Sequence, residues 1–284
     1  MQFEFAGVLA VADGRYLVRE GTEGERQSVL VVESLGAPAP PARRRRRPQP
    51  AEGGGDPAAL PLTRVTAVRA FQPFESDGEA DRWLEEALSS EEILDELVAE
   101  GIGLLNRALH AQAAASADPR LPILAPEQAS GVRTGWGSGE DVADGRFAVA
   151  HDVDIRGGVS RRRQRVDELR PQERVAAVLG GREQIDACET LLLRARADLD
   201  AGRVREAALQ LRVGLEALLI ELLGVLAHPG HEEDLAEVEA GRQEVGEAAN
   251  AALRGDLSEG QAGSVTDLLS VCERILRRRR ILRG

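Results

Sequence analysis

A chain of 284 residues is long enough for two domains, on a prior of roughly 100–200 residues each. Its 43% hydrophobic and 30% charged residues are those of a globular protein, and with only 3% aromatics the core is aliphatic, which favours helix packing over an aromatic-rich sheet. A net charge of −12 sets a uniformly acidic surface against nucleic acid and anionic membranes, unless the basic residues cluster.

The amino terminus, MQFEFAGVLAVADGR, lacks a basic n-region and meets Asp13 too early for a signal peptide. The first 36 residues predict a β-meander. Gly7 to Val11 and Tyr16 to Val18 flank Asp13-Gly14, a tight-turn dipeptide, and Ser28 to Glu33 adds a third run rich in β-branched residues. Ala37 to Pro61 then breaks the composition with Pro, Gly and the run Arg43–Arg47. With almost nothing to bury it is expected to be a disordered insertion, and strand signals resume at Leu62 to Arg69.

Two S-x-x-E capping boxes, Ser76 with Glu79 and Ser89 with Glu92, predict helices over about 77–88 and 91–114. Their first turns are acidic, as the helix dipole favours. From Ser130 to Ile155 the pattern is strand again, interrupted by a glycine loop. Val142-Ala-Asp-Gly-Arg-Phe147 echoes Val11-Ala-Asp-Gly-Arg-Tyr16 at five positions, as a duplicated hairpin would, although chance in this composition is the favoured reading.

Residues 157–164 read as a linker, dividing an α+β domain (1–156) from a helical bundle (165–284). Pro171 suits a helix start, and 172–179 is one short helix. Ile185, Cys188, Leu192, Ala195 and Leu199 lie at gaps of three and four, as do Ala208, Leu211, Leu215, Leu218 and Leu222. The two stripes predict a helical hairpin closed at Gly202. Leu215 to Ala227 is interrupted by Glu216 and Glu221 and is too short to span a bilayer. Residues 231–253 and 264–282 are the last two helices, the second with Ser264-x-x-Asp267 as its box. Cys188 and Cys272 fall at apolar helix positions and read as core residues, neither a disulfide framework nor a zinc pair. The chain is therefore expected to be cytoplasmic and free of membrane spans.

Four features carry possible chemistry. Gly135-Trp-Gly-Ser-Gly-Glu140 is the most motif-like, because consecutive amides at Gly135, Gly137 and Gly139 can cradle a phosphate. The spacing is not that of a dinucleotide or P-loop motif, and Glu140 and Asp141 would repel the anion, so a long flexible turn is the favoured reading. His151, Asp152 and Asp154, with Asp144, offer ligands to a hard cation, against the plainer reading of solvated strand residues. His228-Pro-Gly-His231-Glu-Glu-Asp234 offers two imidazoles, but an interhelix turn and a dipole-favoured first turn already explain it. The arginine clusters Arg43–Arg47, Arg161–Arg163 with Arg165, and Arg277–Arg280 with Arg283 can meet phosphates, but they lack aromatics to stack bases. The chain has no lysine, so its 36 basic residues are all arginine, and such a bias weakens any single arginine as a sign of anion binding.

The segment Asp200-x-Gly-Arg-x-x-Glu-Ala-Ala208 and its flanking helices resemble one tetratricopeptide helix pair, without a second copy at a 34-residue period. The hairpin is also similar in outline to the bundles of HEPN proteins, some of them ribonucleases with an Arg-x4–6-His motif. The one matching spacing here runs from Arg146 to His151. Neither resemblance covers more than this hairpin, and no family follows from them.

The resulting expectation is an α+β domain followed by an all-α bundle. Such a chain would act as a cytoplasmic, non-enzymatic interaction or scaffold protein, with no cofactor and with a protein partner or a second copy of itself. Arg277, Arg278, Arg279 and Arg280 are the expected contacts, together with the acidic face at Glu85, Glu86, Glu91 and Glu92. The alternatives are a nucleic-acid-associated factor working through its arginines, or an enzyme using the glycine loop.

Overall fold

The first strand, β1 (Gln2–Ala6), sits in the interior of a six-stranded antiparallel sheet. It is flanked by β4 (Leu62–Arg69) on one side and β5 (Gly131–Trp136) on the other, with Phe3 opposite both Val65 and Val132. The computed structural model describes residues 1–20, 26–36, 61–155, 172–221, 232–255 and 257–283. The chain divides into two compact units, Met1–Val159 and Ser160–Gly284, so the protein is α+β, a sheet unit followed by a helical one.

In the first unit the strand order is β2-β3-β4-β1-β5-β6, with β2 at Gly14–Glu20, β3 at Arg26–Leu35 and β6 at Val149–Asp152. Alternation along β1 sends Phe3 and Phe5 to one face and Gln2 and Glu4 to the other. The aromatic face is covered by α2 (Glu91–Ser116), which brings Val98, Ile102, Leu105 and Leu109 onto Phe3, Leu30, Val32 and Val65. Gly101 makes the approach possible, since a Cβ there would lie 2.7 Å from the Phe3 ring. On the opposite face the Gln2 amide nitrogen donates to the Thr66 hydroxyl at 3.0 Å and the Gly145 carbonyl at 2.8 Å, and Arg64 reaches Glu4 at 3.0 Å.

The predicted meander is corrected. Residues 7–11 are not a strand, and β1 pairs with neither β2 nor β3. Gly7 takes a left-handed φ of +93° that turns the chain out of the sheet. The Thr63 hydroxyl then donates to the Gly7 carbonyl and accepts from the Leu9 amide, satisfying groups that a strand neighbour would otherwise have met. β4 spans the expected residues and pairs with β3 as far as Leu35 opposite Leu62, so the stretch between them joins neighbouring strands. The expected disorder of 37–61 falls, but for Pro61, outside the described residues.

α1 (Asp77–Ser89) starts where the capping box put it, with the Ser76 hydroxyl accepting from the Glu79 amide. The second box is displaced by one residue. Ser90 caps α2 by accepting from the Ile93 amide, while Ser89 stays inside α1 and donates to the Glu86 carbonyl. Nor is the hairpin duplicated: residues 11–16 run into β2, whereas 142–147 include the end of a short helix, α3 (Gly139–Ala143).

In the second unit a short helix, α4 (172–179), precedes α5 (Ala187–Asp200) and α6 (Val204–Glu221). α7 (Glu232–Arg254) and α8 (Glu259–Arg283) complete it. The hairpin turn is a Schellman closure: the Arg203 amide donates to the Asp198 carbonyl at 2.8 Å and the Gly202 amide to Leu199 at 2.9 Å, with Gly202 left-handed at φ +71°. Cys188, Leu192 and Ala195 of α5, and Ala208, Leu211, Leu215 and Leu218 of α6, are buried as their spacing predicts, together with Val238, Val245, Leu269, Cys272 and Ile275 of α7 and α8. Ile185 departs from the stripe, preceding α5 and standing 57% exposed, and Leu222 is outside the described residues. The last helix begins earlier than its Ser264 box implied. Ser258 and Gln261 form the reciprocal cap, and the Ser264 hydroxyl donates to Gly260 from inside the helix. The expected linker at 157–164 lies outside the described residues.

Candidate functional site

The central strand stops short of its neighbours. β1 begins at Gln2, opposite Thr66 and Arg133, while β4 continues to Arg69 and β5 to Trp136. The two longer strands leave a notch floored by Met1, and α1, α2 and the α3 loop wall it into a cavity of about 530 Å³. That volume lies in the range of pockets that enclose small molecules, roughly 300–1,000 Å³.

Aromatic residues are scarce in this chain, yet both tryptophans and two of its five phenylalanines line this one cavity. Trp83 projects from α1 and stacks at a tilt on Phe74, with ring centroids 5.4 Å apart and planes at 45°. Trp136 ends β5, and its indole N–H donates to Asp81 of α1 at 2.9 Å, tying sheet to helix. Phe147 reaches the cavity from the segment before β6. Trp83, Trp136 and Phe147 are half-buried and Phe74 is 39% exposed, so ring surface remains open to a ligand.

The charged lining is mostly acidic. Arg69 donates through Nε to both carboxylate oxygens of Glu100, at 3.0 and 2.8 Å, which matches its charge locally. Glu75 and Asp77 stand exposed on the rim. The Met1 amine donates to the Ala67 carbonyl at 2.9 Å, and burial, reinforced by the nearby Arg69 charge, pulls it down to about 5, so it is neutral at pH 7. At the start of α1 the Ser76 hydroxyl accepts from the Glu79 amide, and the Glu79 carboxylate accepts from the Glu75 amide at 2.7 Å, which adds a carboxylate beside that helix end.

The glycine loop reaches the cavity, but not as a phosphate cradle. Gly135 lies within β5, where a Cβ would be 2.2 Å from the Val149 carbonyl oxygen, and one at Gly137 would be 3.0 Å from that of Arg146. Both are glycine because two backbones cross there. Gly135 and Trp136 close β5 and Gly139 opens α3, a five-residue helix with Glu140 and Asp141 in its first turn, so the expected long flexible turn shrinks to Gly137 and Ser138. The cation candidates are separated. His151 and Asp152 occupy alternate faces of β6, and Asp154 lies beyond its end. Asp152 accepts from Arg133 at 2.8 Å, and Asp144 is met by Arg15 and by Arg146 at 3.0 Å. Among the described residues no three His, Cys, Asp or Glu side chains are grouped as metal ligands would be. The Arg146–His151 spacing belongs to the sheet unit, not to a bundle helix.

Of the carboxy-terminal arginines Arg279 turns inward, while Arg278 stays exposed. Arg279 is 3% exposed and faces Asp186 and Glu189, and Arg274 and Arg278 meet the buried Asp234, so Arg279 is not part of an outer contact surface. Arg277 is exposed, and Arg280 belongs to the last turn of α8. The other two arginine clusters and the His228–His231 stretch lie outside the described residues. Glu85, Glu86, Glu91 and Glu92 are exposed, as an acidic helix face should be. Cys188 and Cys272 are buried, and desolvation pushes each thiol up to about 12, out of the range of a nucleophile.

Sequence reasoning missed the notch. Trp83 and Trp136 are 53 residues apart, and only the strand order brings them together; the one available signal was that so few rings occur at all. No protein family, no curated protein and no solved structure matches the chain. Its class is therefore given by fold and site alone, an α+β protein with an aromatic notch in its sheet unit. Among the described residues no helix is long and apolar enough to cross a membrane.

Proposed function

We propose that this is a cytoplasmic binding protein whose sheet unit receives a small organic ligand in the notch between β4 and β5. The observation that carries the reading is the gathering of both tryptophans with Phe74 and Phe147 around one cavity of about 530 Å³. Large rings left half-open in a concave site supply apolar contact area at low entropic cost, which suits recognition. The reading is tested by following tryptophan emission and thermal unfolding of the full chain against a panel of small organic compounds. A saturable change in emission with a matching rise in Tm supports it; a panel that moves neither contradicts it.

A second reading, an interaction or scaffold role for the bundle, is favoured by its exposed aliphatic side chains. Val213 and Ile220, 56% and 70% exposed, lie seven residues apart and so share a stripe of α6, and Leu193 of α5 is 62% exposed. Light scattering on the eluting full-length protein tests it, with a stable oligomer as the expected result and a monomer at every concentration as the contrary one.

A further inference from the structure

We propose that the notch is selective for an organic cation, an alkylammonium or quaternary ammonium group seated against the tryptophan rings. The inference rests on the ligand-binding reading above and adds the charge of the ligand. Its first ground is the rings. An indole face carries negative quadrupole density and attracts a cation placed over it, more so when water is excluded. Trp83 and Phe74 meet at 45° rather than in parallel, so together they form a corner that a compact, rounded group can enter.

The second ground is the surrounding charge. Glu75 and Asp77 occupy the rim, Glu100 holds the guanidinium of Arg69 in a two-oxygen contact, and Asp81 fixes the edge of Trp136. Only one of the charged side chains lining the cavity is basic, against three acidic, so a cation gains long-range attraction and an anion is repelled. The third ground is the helix end beside the notch, where the Glu79 carboxylate accepts from the Glu75 amide and Asp77 stands in the first turn, so acidic groups already answer the positive pole of α1, while Gly135 and Gly137 are shaped by the neighbouring backbone.

The test titrates the full-length protein with tetramethylammonium, choline and the neutral carbon isostere of choline, 3,3-dimethylbutan-1-ol, reading tryptophan emission, with indole as an uncharged aromatic probe. The expected result is saturable binding of both cations, with the neutral isostere at least about tenfold weaker. Glu75→Gln and Asp77→Asn, both at exposed positions, weaken the cations about three- to tenfold without changing the affinity for indole. Equal binding of choline and its isostere overturns the cation inference and leaves the ligand site standing, as does binding of indole alone. Failure of all four probes overturns both.

Discussion

The indole N–H of Trp136 donates to the Asp81 carboxylate at 2.9 Å, joining the end of β5 to α1 beside the aromatic notch. One residue thereby supplies both a wall of the cavity and the tie that keeps the wall in place. Asp81 is exposed, so deleting the donor leaves an acceptor that water can satisfy. Trp136→Phe is therefore expected to cost about 0.5–1.5 kcal/mol, the net worth of one hydrogen bond, and to weaken ligand binding through the lost indole face. Urea unfolding followed by far-ultraviolet circular dichroism measures the first effect, and a titration reading Trp83 alone measures the second.

Two glycines of α2 provide a matched pair. A methyl at Gly101 would sit 2.7 Å from Phe3 and 3.2 Å from Met1, whereas one at Gly103 meets nothing within 4 Å. Gly101→Ala overpacks the closest approach of helix and sheet and is expected to destabilise by about 1–3 kcal/mol. Gly103→Ala only raises helix propensity and should stabilise by about 0.5–1 kcal/mol. Opposite signs in the urea midpoint are the expected outcome; equal signs would contradict the docking of α2 on Phe3.

Gly135 is more demanding, because the obstruction is backbone. Its missing Cβ would lie 2.2 Å from the Val149 carbonyl and 2.8 Å from the Ala150 Cα, neither of which can rotate away. Gly135→Ala should force β6 off β5 and lose at least about 3 kcal/mol, the upper end of ordinary overpacking. Hydrogen exchange at His151 and Val153, whose amides face β5 (that of Val153 donates to the Val132 carbonyl at 2.8 Å), reports the parting of the strands, and unchanged protection there would refute the register.

The two thiols respond to pH in one direction. Burial raises each from 9 to about 12 in the folded chain, so their contribution to stability is fully present below pH 9 and is lost as pH rises toward 12. Native protein at pH 8 should leave both thiols unreacted toward an aromatic disulfide reagent, and denatured protein should release two equivalents. A stability that stays flat from pH 9 to 11 would argue against their burial.

The charged end of the bundle makes a further contrast. Asp234 is 2% exposed and is held by Arg274 at 2.8 Å and by Arg278, while Glu216 and Arg242 form an exposed pair at 2.6 Å. Removing one partner of a buried pair costs about 3–5 kcal/mol; because Arg274 and Arg278 are themselves partly open to water, Asp234→Ala is expected to cost about 2–3 kcal/mol. Glu216→Gln should leave the urea midpoint where it was. Similar losses at both sites would contradict the difference in burial.

Much of the fold could be read from local pattern. Leu62 to Arg69 alternates between two distinct faces, Ser76 and Glu79 mark the start of α1, and Cys188 to Ala195 and Ala208 to Leu218 carry the helical period directly. What was not legible depended on partners distant in sequence. Nothing in QFEFA indicates that β1 lies between β4 and β5, because alternation gives a strand its faces but not its neighbours. The echo of Val11–Tyr16 in Val142–Phe147 carries no shared structure for a related reason: the five residues in common enter a strand in one place and leave a helix in the other, as their neighbours dictate. Gly135 and Gly137 left a ligand loop open beside the favoured flexible turn, because crowding against a backbone, which is what they meet, selects the same residue as cradling an anion. Arg279 looked like part of an outer patch because a charge run gives no sign of the carboxylates it will meet.

The most direct test of the central claim is fluorine NMR of protein carrying 5-fluorotryptophan, titrated with choline. Trp83 and Trp136 give one resonance each, and if they wall the same occupied notch both must shift with a single midpoint. Concerted movement of the two signals is the predicted result. Two resonances that remain fixed at saturating choline, or that move with different midpoints, would contradict it.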